Sequence, residues 1–231
     1  MEFAAMQKLT ILDFPGTVAC ILFTKGCNFR CPFCHNAALV TPTDAEPIVD
    51  ETEVLQFLKS RQGLLEGVVI TGGEPMLHKE LPAFLAKVKA LGYKVKVDTN
   101  GSRPDMLKQV VCDGLIDYAA MDIKNVPDQY AKTIGLREFD MTDVEKSKNF
   151  LMEDRVTYEF RTTVVKGIHT GADLERLAQW IKGAKAYFLQ GFKDSGQLLA
   201  PDGLGTFTEQ EMNAFAEHIK PYVPSVRVRG Y

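Results

Sequence analysis

The sequence predicts an α/β protein built as an incomplete, or partial, βα barrel of the TIM type, and three observations carry that prediction. Short apolar, β-branched runs recur along the 231 residues, segments of helical period separate most of them, and the chemically unusual residues directly follow the runs. Strict alternation of strand and helix implies parallel strands joined by crossover helices. No shift of composition, internal repeat, low-complexity tract or Pro/Ser-rich linker divides the chain, so residues 1–231 are expected to form one domain.

The expected strands are residues 18–23, 68–71, 94–98, 118–122, 157–164, 187–190 and 226–228. Seven strands fall short of the eight that close a TIM barrel, hence the incomplete form. Between strands, Phe84, Leu85, Val88 and Leu91 share one helical face, and Gly92 ends that helix. Helix starts are marked by capping-box spacing at Asp50 with Glu53, Thr142 with Glu145, and Thr208 with Glu211, and by Ser102 followed by Pro104.

Composition narrows the function. Apolar residues make up 45% and charged residues 25% of the chain, enough to bury a sizeable core. Lys plus Arg number 27 against 30 Asp plus Glu, a net charge of −3, which disfavours nucleic acid as a partner. The longest apolar runs are far shorter than the roughly 20 residues that span a bilayer, and the N-terminus lacks a signal pattern, so no membrane partner and a cytoplasmic location are expected. Of five cysteines, an odd number, three crowd into Cys27, Cys31 and Cys34. That spacing suits metal binding in a reducing compartment better than a disulfide framework.

The chemistry falls where βα barrels collect it, at the C-terminal ends of successive strands. The first strand is followed by the cysteine loop, the second by Gly72-Gly73-Glu74-Pro75, the third by Asp98-Thr99-Asn100-Gly101 and the fourth by Asp122-Ile123-Lys124. Three thiolates in one loop are soft ligands suited to an iron-sulfur cluster, and with only three cysteines one iron is left without a protein ligand. Cys20, inside an apolar run, and Cys112, ending an amphipathic segment, are expected to be buried structural thiols. A structural zinc site is the alternative for the loop, but His35 adjoins Cys34 and is poorly placed as a fourth ligand. By residue type alone, Asp98, Asp122 and Lys124 equally suit solvated loop charges, and Gly-Gly-Glu-Pro a simple turn. His78, His169 and His218 show no pairing that suggests chemistry and are expected to be ordinary surface or core histidines.

The Cys-x-x-x-Cys-x-x-Cys loop, with Phe33 before its last cysteine, resembles the signature of radical S-adenosylmethionine enzymes, and Gly72-Gly73-Glu74-Pro75 resembles that superfamily's second motif. More narrowly, Leu12-Asp13-Phe14-Pro15-Gly16 and residues 24–36, 98–101 and 122–124 resemble the activating enzymes of glycyl-radical enzymes, above all the anaerobic ribonucleoside-triphosphate reductase activating protein family. The likeness runs from Lys8 to Tyr231 and is most specific in its N-terminal half.

The resemblance implies the radical S-adenosylmethionine fold, with one 4Fe-4S cluster on Cys27, Cys31 and Cys34 and S-adenosylmethionine chelating the unique iron. Reductive cleavage would give methionine and a 5′-deoxyadenosyl radical, which takes hydrogen from a glycine of a partner protein. Gly72 and Gly73 would let the backbone approach the methionine moiety, and Glu74 would accept from its ammonium group. Lys124 would face its carboxylate, beside a monovalent-cation site formed with Asp98, Thr99 and Asp122. Phe33, Asn100 (towards the ribose), Arg161 and Gln190 complete the implied cofactor-binding set; Gln190 stands where some relatives have histidine. The implied partners are a glycyl-radical enzyme, foremost the anaerobic ribonucleotide reductase, and flavodoxin or ferredoxin as electron donor. Two further ferredoxin-type clusters are disfavoured, since only Cys20 and Cys112 lie outside the loop. Two rivals stay open: a radical enzyme of the same superfamily acting on another glycyl-radical enzyme, a peptide or a small molecule, and a zinc-stabilised interaction module.

Overall fold

The computed structural model describes residues 1–40, 48–194, 196 and 198–230; Tyr231, the end point of the resemblance, lies outside them. In chain order the elements are β1 Glu2–Phe3, β2 Ala5–Thr10, β3 Ala19–Thr24, α1 Ala37–Val40, β4 Val49–Asp50, α2 Glu51–Ser60, β5 Gly67–Gly72, α3 Leu81–Ala90 and β6 Lys94–Thr99. They continue with α4 Pro104–Cys112, β7 Tyr118–Asp122, α5 Pro127–Thr133, α6 Thr142–Met152, β8 Thr157–Val164, α7 Gly171–Trp180, β9 Tyr187–Gly191, α8 Glu209–Ile219 and β10 Val226–Arg229.

One sheet of eight strands organises the molecule, in the order β10-β9-β8-β7-β6-β5-β3-β2. The seven strands from β3 to β10 in that sheet run parallel, matching the seven expected runs, and β2 is added antiparallel to β3. The end strands β2 and β10 are not paired with each other, so the barrel is incomplete. β2 itself was not expected: most of its side chains are exposed, so Ala-Met-Gln-Lys-Leu-Thr carries no apolar alternation to announce a strand.

The period of two in each strand separates two environments. Cys20 and Leu22, Val68 and Ile70, Val95 and Val97, Ala119 and Met121, and Tyr158 and Phe160 enter the main core with the helices. The residues between them form the other face. There Ala19, Ile21 and Val69 pack with Phe14 in a small apolar plug, with Tyr118 and Phe23 beside it. Lys96, Asp98, Asp122, Glu159, Arg161 and Gln190 occupy alternate positions of the same face further round the sheet.

Most helix starts agree with the sequence reading. Asp50 caps α2 by accepting from Glu53 N–H, and Thr208 and Glu211 form a full capping box on α8. Thr142 is a correction: it is not the cap of α6, because its N–H and hydroxyl both turn back to Asp140 Oδ1 (2.9 and 2.6 Å). Pro104 does open α4, but Ser102 does not cap it; its hydroxyl accepts from Asn28 across the site. A capping box of Thr170 with Asp173 opens α7, where aspartate replaces the usual Glu or Gln of the motif. Cys112 is a second correction, since it is exposed on the last turn of α4, whereas Cys20 is buried as expected. No helix among the described residues is long and apolar enough to cross a membrane.

Candidate active site

The decorated strand ends converge. Every residue nominated from the sequence, from the three cysteines through Phe33, Gly72, Gly73, Glu74, Asp98, Thr99, Asn100, Asp122, Lys124 and Arg161 to Gln190, lines one cavity of about 450 Å³. It lies at the C-terminal ends of the parallel strands, on the sheet face opposite the helix-covered core.

The cysteine loop is held from several sides. Gly26 N–H donates to Leu39 C=O at 2.7 Å, Arg30 N–H to Ile134 C=O at 2.8 Å, and Ala200 N–H to Pro32 C=O at 3.1 Å. Phe29 anchors the loop edge-on against Tyr130 and Phe139, whose rings stack on each other. Gly73 makes the tightest approach: a Cβ there would lie 1.9 Å from Gly26 C=O. The glycine pair therefore lets the end of β5 press against the cysteine loop, with Gly73 N–H donating to Thr24 C=O and Glu74 N–H to Gly26 C=O. Burial pushes all three thiols up, Cys31 to about 12, although Lys124 pulls the other way. Metal binding here would thus displace protons.

Glu74 is almost fully buried and ties two loops together. Its carboxylate accepts from Asn100 N–H (2.6 Å), Thr99 Oγ1 (2.8 Å) and Met76 N–H (3.0 Å). Burial nonetheless raises its pKa to about 7, against the lowering by those donors. Asn100 spends its amide on the loops too, donating to Asn28 Oδ1 and accepting from Ser102 N–H, each at 2.9 Å.

The opposite wall is an ion network. The Arg161 guanidinium bridges Asp122 Oδ1 (2.9 Å) and Asp98 Oδ2 (3.1 Å); Lys96 pairs with Asp98 at 2.5 Å and Lys124 with Asp122 at 3.0 Å. Burial alone would raise both aspartates, but Arg161 and the lysines outweigh it, holding Asp98 low and Asp122 at about 2. The same carboxylates raise Lys124 and Arg161 despite burial, so both stay charged. Three cations face two carboxylates, one positive charge in excess. The cation shared by Asp98 and Asp122 in this structure is the Arg161 guanidinium, and Thr99 donates its hydroxyl to Glu74, so these residues show no charge deficit for a monovalent cation to fill.

Two participants escaped the sequence reading. Lys96 shares a face with Asp98 at a spacing of two, a signal that strand alternation contains. His169 is buried, and its Nδ1 accepts from Val165 N–H (3.0 Å), which leaves the hydrogen on Nε2 to donate to Lys124 C=O (2.8 Å). Its ring meets Phe33 edge-on, and a lone histidine in sequence gives no hint of that. His78 contacts Lys25 C=O and His218 contacts Glu175, and neither lines the cavity. His35 is exposed at the cavity rim, its ring tilted against Phe192.

A parallel sheet of this order, with three thiols and an ion network at its strand ends, defines the architecture of a cofactor-dependent enzyme. The family model of the radical SAM superfamily matches residues 21–217, and the chain belongs to that superfamily, whose members use a 4Fe-4S cluster and S-adenosylmethionine. Over 98% of its length it is 30% identical to a protein of Methanocaldococcus jannaschii provisionally named a glycyl-radical enzyme activating enzyme, covering 95% of that protein. Over 67% of its length it is 32% identical to a GTP 3′,8-cyclase of Helicobacter pylori, of which it spans 49%. Its fold is similar to a domain of a pyruvate-formate lyase-activating enzyme from Bacteroides vulgatus, with a TM-score of 0.59, 18% identity, and coverage of 71% of this chain and 99% of that one.

Proposed function

We propose that this chain is an activase that generates a glycyl radical on a partner enzyme, foremost an anaerobic ribonucleoside-triphosphate reductase. The observation that carries the reading is the cavity itself, where three soft sulfur donors on one wall face Lys124 and Arg161 on the other, and Lys96, buried behind Asp98, leaves that ion network one positive charge in excess. The end-to-end likeness to an activating enzyme supports the substrate class, whereas the cyclase relative extends well beyond this chain.

Cys27, Cys31 and Cys34 would hold a 4Fe-4S cluster through three irons. When bound, the cluster supplies the electron that cleaves S-adenosylmethionine to methionine and a 5′-deoxyadenosyl radical. Lys124 and Arg161 offset the ligand's carboxylate, bringing the wall to three positive and three negative charges. Glu74, poised near neutrality of charge, gains a counter-ion when an ammonium group approaches and then holds its negative form. Gly72 and Gly73 keep the backbone of this wall close to the cysteine loop; Phe33, Asn100 and Gln190 complete the enclosure. Reduced flavodoxin or ferredoxin, in an anaerobic cytoplasm, would supply electrons.

A structural zinc would want a fourth nitrogen or sulfur ligand beside the three cysteines, and His35 turns its ring against Phe192 instead, which supports a cluster over zinc. The test is anaerobic reconstitution with iron and sulfide, followed by iron analysis, 5′-deoxyadenosine release and electron paramagnetic resonance of the reductase. Wild type and Cys112→Ala are expected to bind about four irons and to produce a glycyl doublet; Cys27→Ala, Cys31→Ala and Cys34→Ala are expected to do neither. Zinc in place of iron, or 5′-deoxyadenosine without any radical on the reductase, would refute the proposal.

A further inference from the structure

Beyond the end of β7 at Asp122, Ile123 is fully buried and Lys124 largely so. Their carbonyls lie past the paired residues of the sheet, and a carbonyl withdrawn from both water and the ladder needs a donor from elsewhere. Two donors come from β8 and the turn behind it. Thr162 Oγ1 donates to Ile123 C=O at 2.7 Å, and His169 Nε2 donates to Lys124 C=O at 2.8 Å. The Thr162 hydroxyl accepts in turn from Tyr187 OH on β9 at 2.8 Å. On the other flank of Lys124, its N–H donates to Tyr130 OH at 3.4 Å.

The two side chains that hold the Lys124 backbone share a second property, for each also touches the cysteine loop. The His169 ring meets Phe33 edge-on with 6.5 Å between centroids, and the Tyr130 ring meets Phe29 edge-on at 6.4 Å. The Lys124 ammonium itself lies 6.0 Å from the centre of the Phe33 ring and 3.0 Å from Asp122. Nδ1 of His169 is committed to Val165 N–H in its own turn, so the ring cannot rotate without losing that bond. The remaining N–H is thereby aimed at Lys124, 45 residues away in sequence. His169 is 3% exposed, so a displaced Lys124 would leave this donor buried without a partner, which opposes the displacement. Support of the turn alone would need only the bond to Val165.

We propose that His169 is a positioning residue for S-adenosylmethionine: with Tyr130, it fixes Lys124 relative to the cysteine loop, and so sets the spacing between the ammonium that faces the ligand's carboxylate and the thiols that hold the cluster. Neither His169 nor Tyr130 lines the cavity, so each acts through Lys124. The inference rests on the assignment of Lys124 to that carboxylate. It adds that the ammonium is held in place through its backbone as well as by Asp122. A ligand that must meet a cluster and a cation at once binds well only when the two are correctly spaced, and a rigid support for the contacting residue keeps that spacing.

The test is titration of S-adenosylmethionine into reconstituted enzyme with its cluster oxidised, where binding is read without cleavage. His169→Asn keeps an acceptor near the place of Nδ1 for Val165 N–H but falls short of Lys124, whereas His169→Gln extends an amide donor to the place of Nε2. Proteins are matched for iron content, and Lys124→Met sets the loss expected from removing the cation. His169→Asn is expected to weaken binding about fivefold or more, and His169→Gln to restore most of it. Tyr130→Phe, which keeps its ring and loses one oxygen, is expected to weaken binding about twofold and carries the test if His169→Asn does not fold. A second readout needs neither ligand nor iron: amide exchange over residues 123–126 should quicken in His169→Asn and not in His169→Gln. Wild-type affinity in His169→Asn and Tyr130→Phe, or equal losses in His169→Asn and His169→Gln, would overturn the positioning role alone. Wild-type affinity in Lys124→Met would overturn the assignment of Lys124 beneath it.

Discussion

Two carboxylate groups on facing walls of the cavity are both withdrawn from water, yet they are held in opposite ways. Glu74 is surrounded by backbone and hydroxyl donors and carries a pKa raised to about 7. Asp122 is surrounded by Arg161 and Lys124 and is held at about 2. Neutral donors orient a carboxylate without supplying the full charge that burial demands, whereas cations supply it outright. One wall is therefore settled before any ligand arrives, and the other is completed by one. A site built to receive a zwitterion needs that asymmetry: a spare cation on one side and an anion awaiting its partner on the other.

Breaking the settled wall is expected to have the largest effect. Arg161→Met leaves Asp98 and Asp122 with one lysine each, and losing the one cation that bridges both buried carboxylates costs about 3 kcal/mol of stability. Urea midpoints check this. The folded pKa of Asp122 is depressed, so its contribution is present above an unfolded value of about 3.9 and lost as pH falls towards about 2. The gap between wild type and Arg161→Met should accordingly narrow below about pH 4. An unchanged gap would mean that the guanidinium acts through packing rather than charge.

Much of this comparison was readable beforehand, because strand ends in a parallel sheet converge whatever the details of packing. Cys27, Gly73, Asp98 and Lys124 could be placed together from strand order alone, since each follows a run of apolar residues whose period is unambiguous. The pairings could not. Asp98 and Asp122 looked like two anions in need of a shared ion, and only the register of β7 with β8, which sets Asp122 opposite Arg161, shows that a guanidinium bridges them. Glu74 and Asn100 looked like ligand contacts because their types suit that role; in the fold they also tie loops to one another. β2 and Cys112 were misread for a simpler reason, that exposed positions carry no apolar pattern to interpret.

The junction between the walls can be strained without touching any charge. Gly73→Ala forces a methyl group into Gly26 C=O, so the cysteine loop must shift; overpacking of this kind costs about 1–3 kcal/mol. The expected signature is reduced iron content after reconstitution with the secondary structure intact by circular dichroism. Full iron loading would show that the loop seats itself independently of β5.

The smallest effect separates the two explanations of Glu74. Its folded pKa is raised, so its contribution to stability is present below the unfolded value, about 4.3, and is lost as pH rises through about 7. Glu74→Gln imitates the protonated acid, which already sets one non-accepting edge against the ring of donors. The variant should therefore match wild type near pH 3 and exceed it by about 1 kcal/mol at pH 5, where the wild-type acid ionises on unfolding but stays protonated in the fold, and the gap should widen as pH rises to 7. If the donors outweighed burial, the carboxylate would be ionised at pH 5 and above, and the variant would be weaker there because an amide N–H would face a backbone N–H. Saturating S-adenosylmethionine on the reconstituted enzyme should reverse the order at pH 8. An ammonium group beside Glu74 stabilises the ionised form alone, and the amide gains nothing from it.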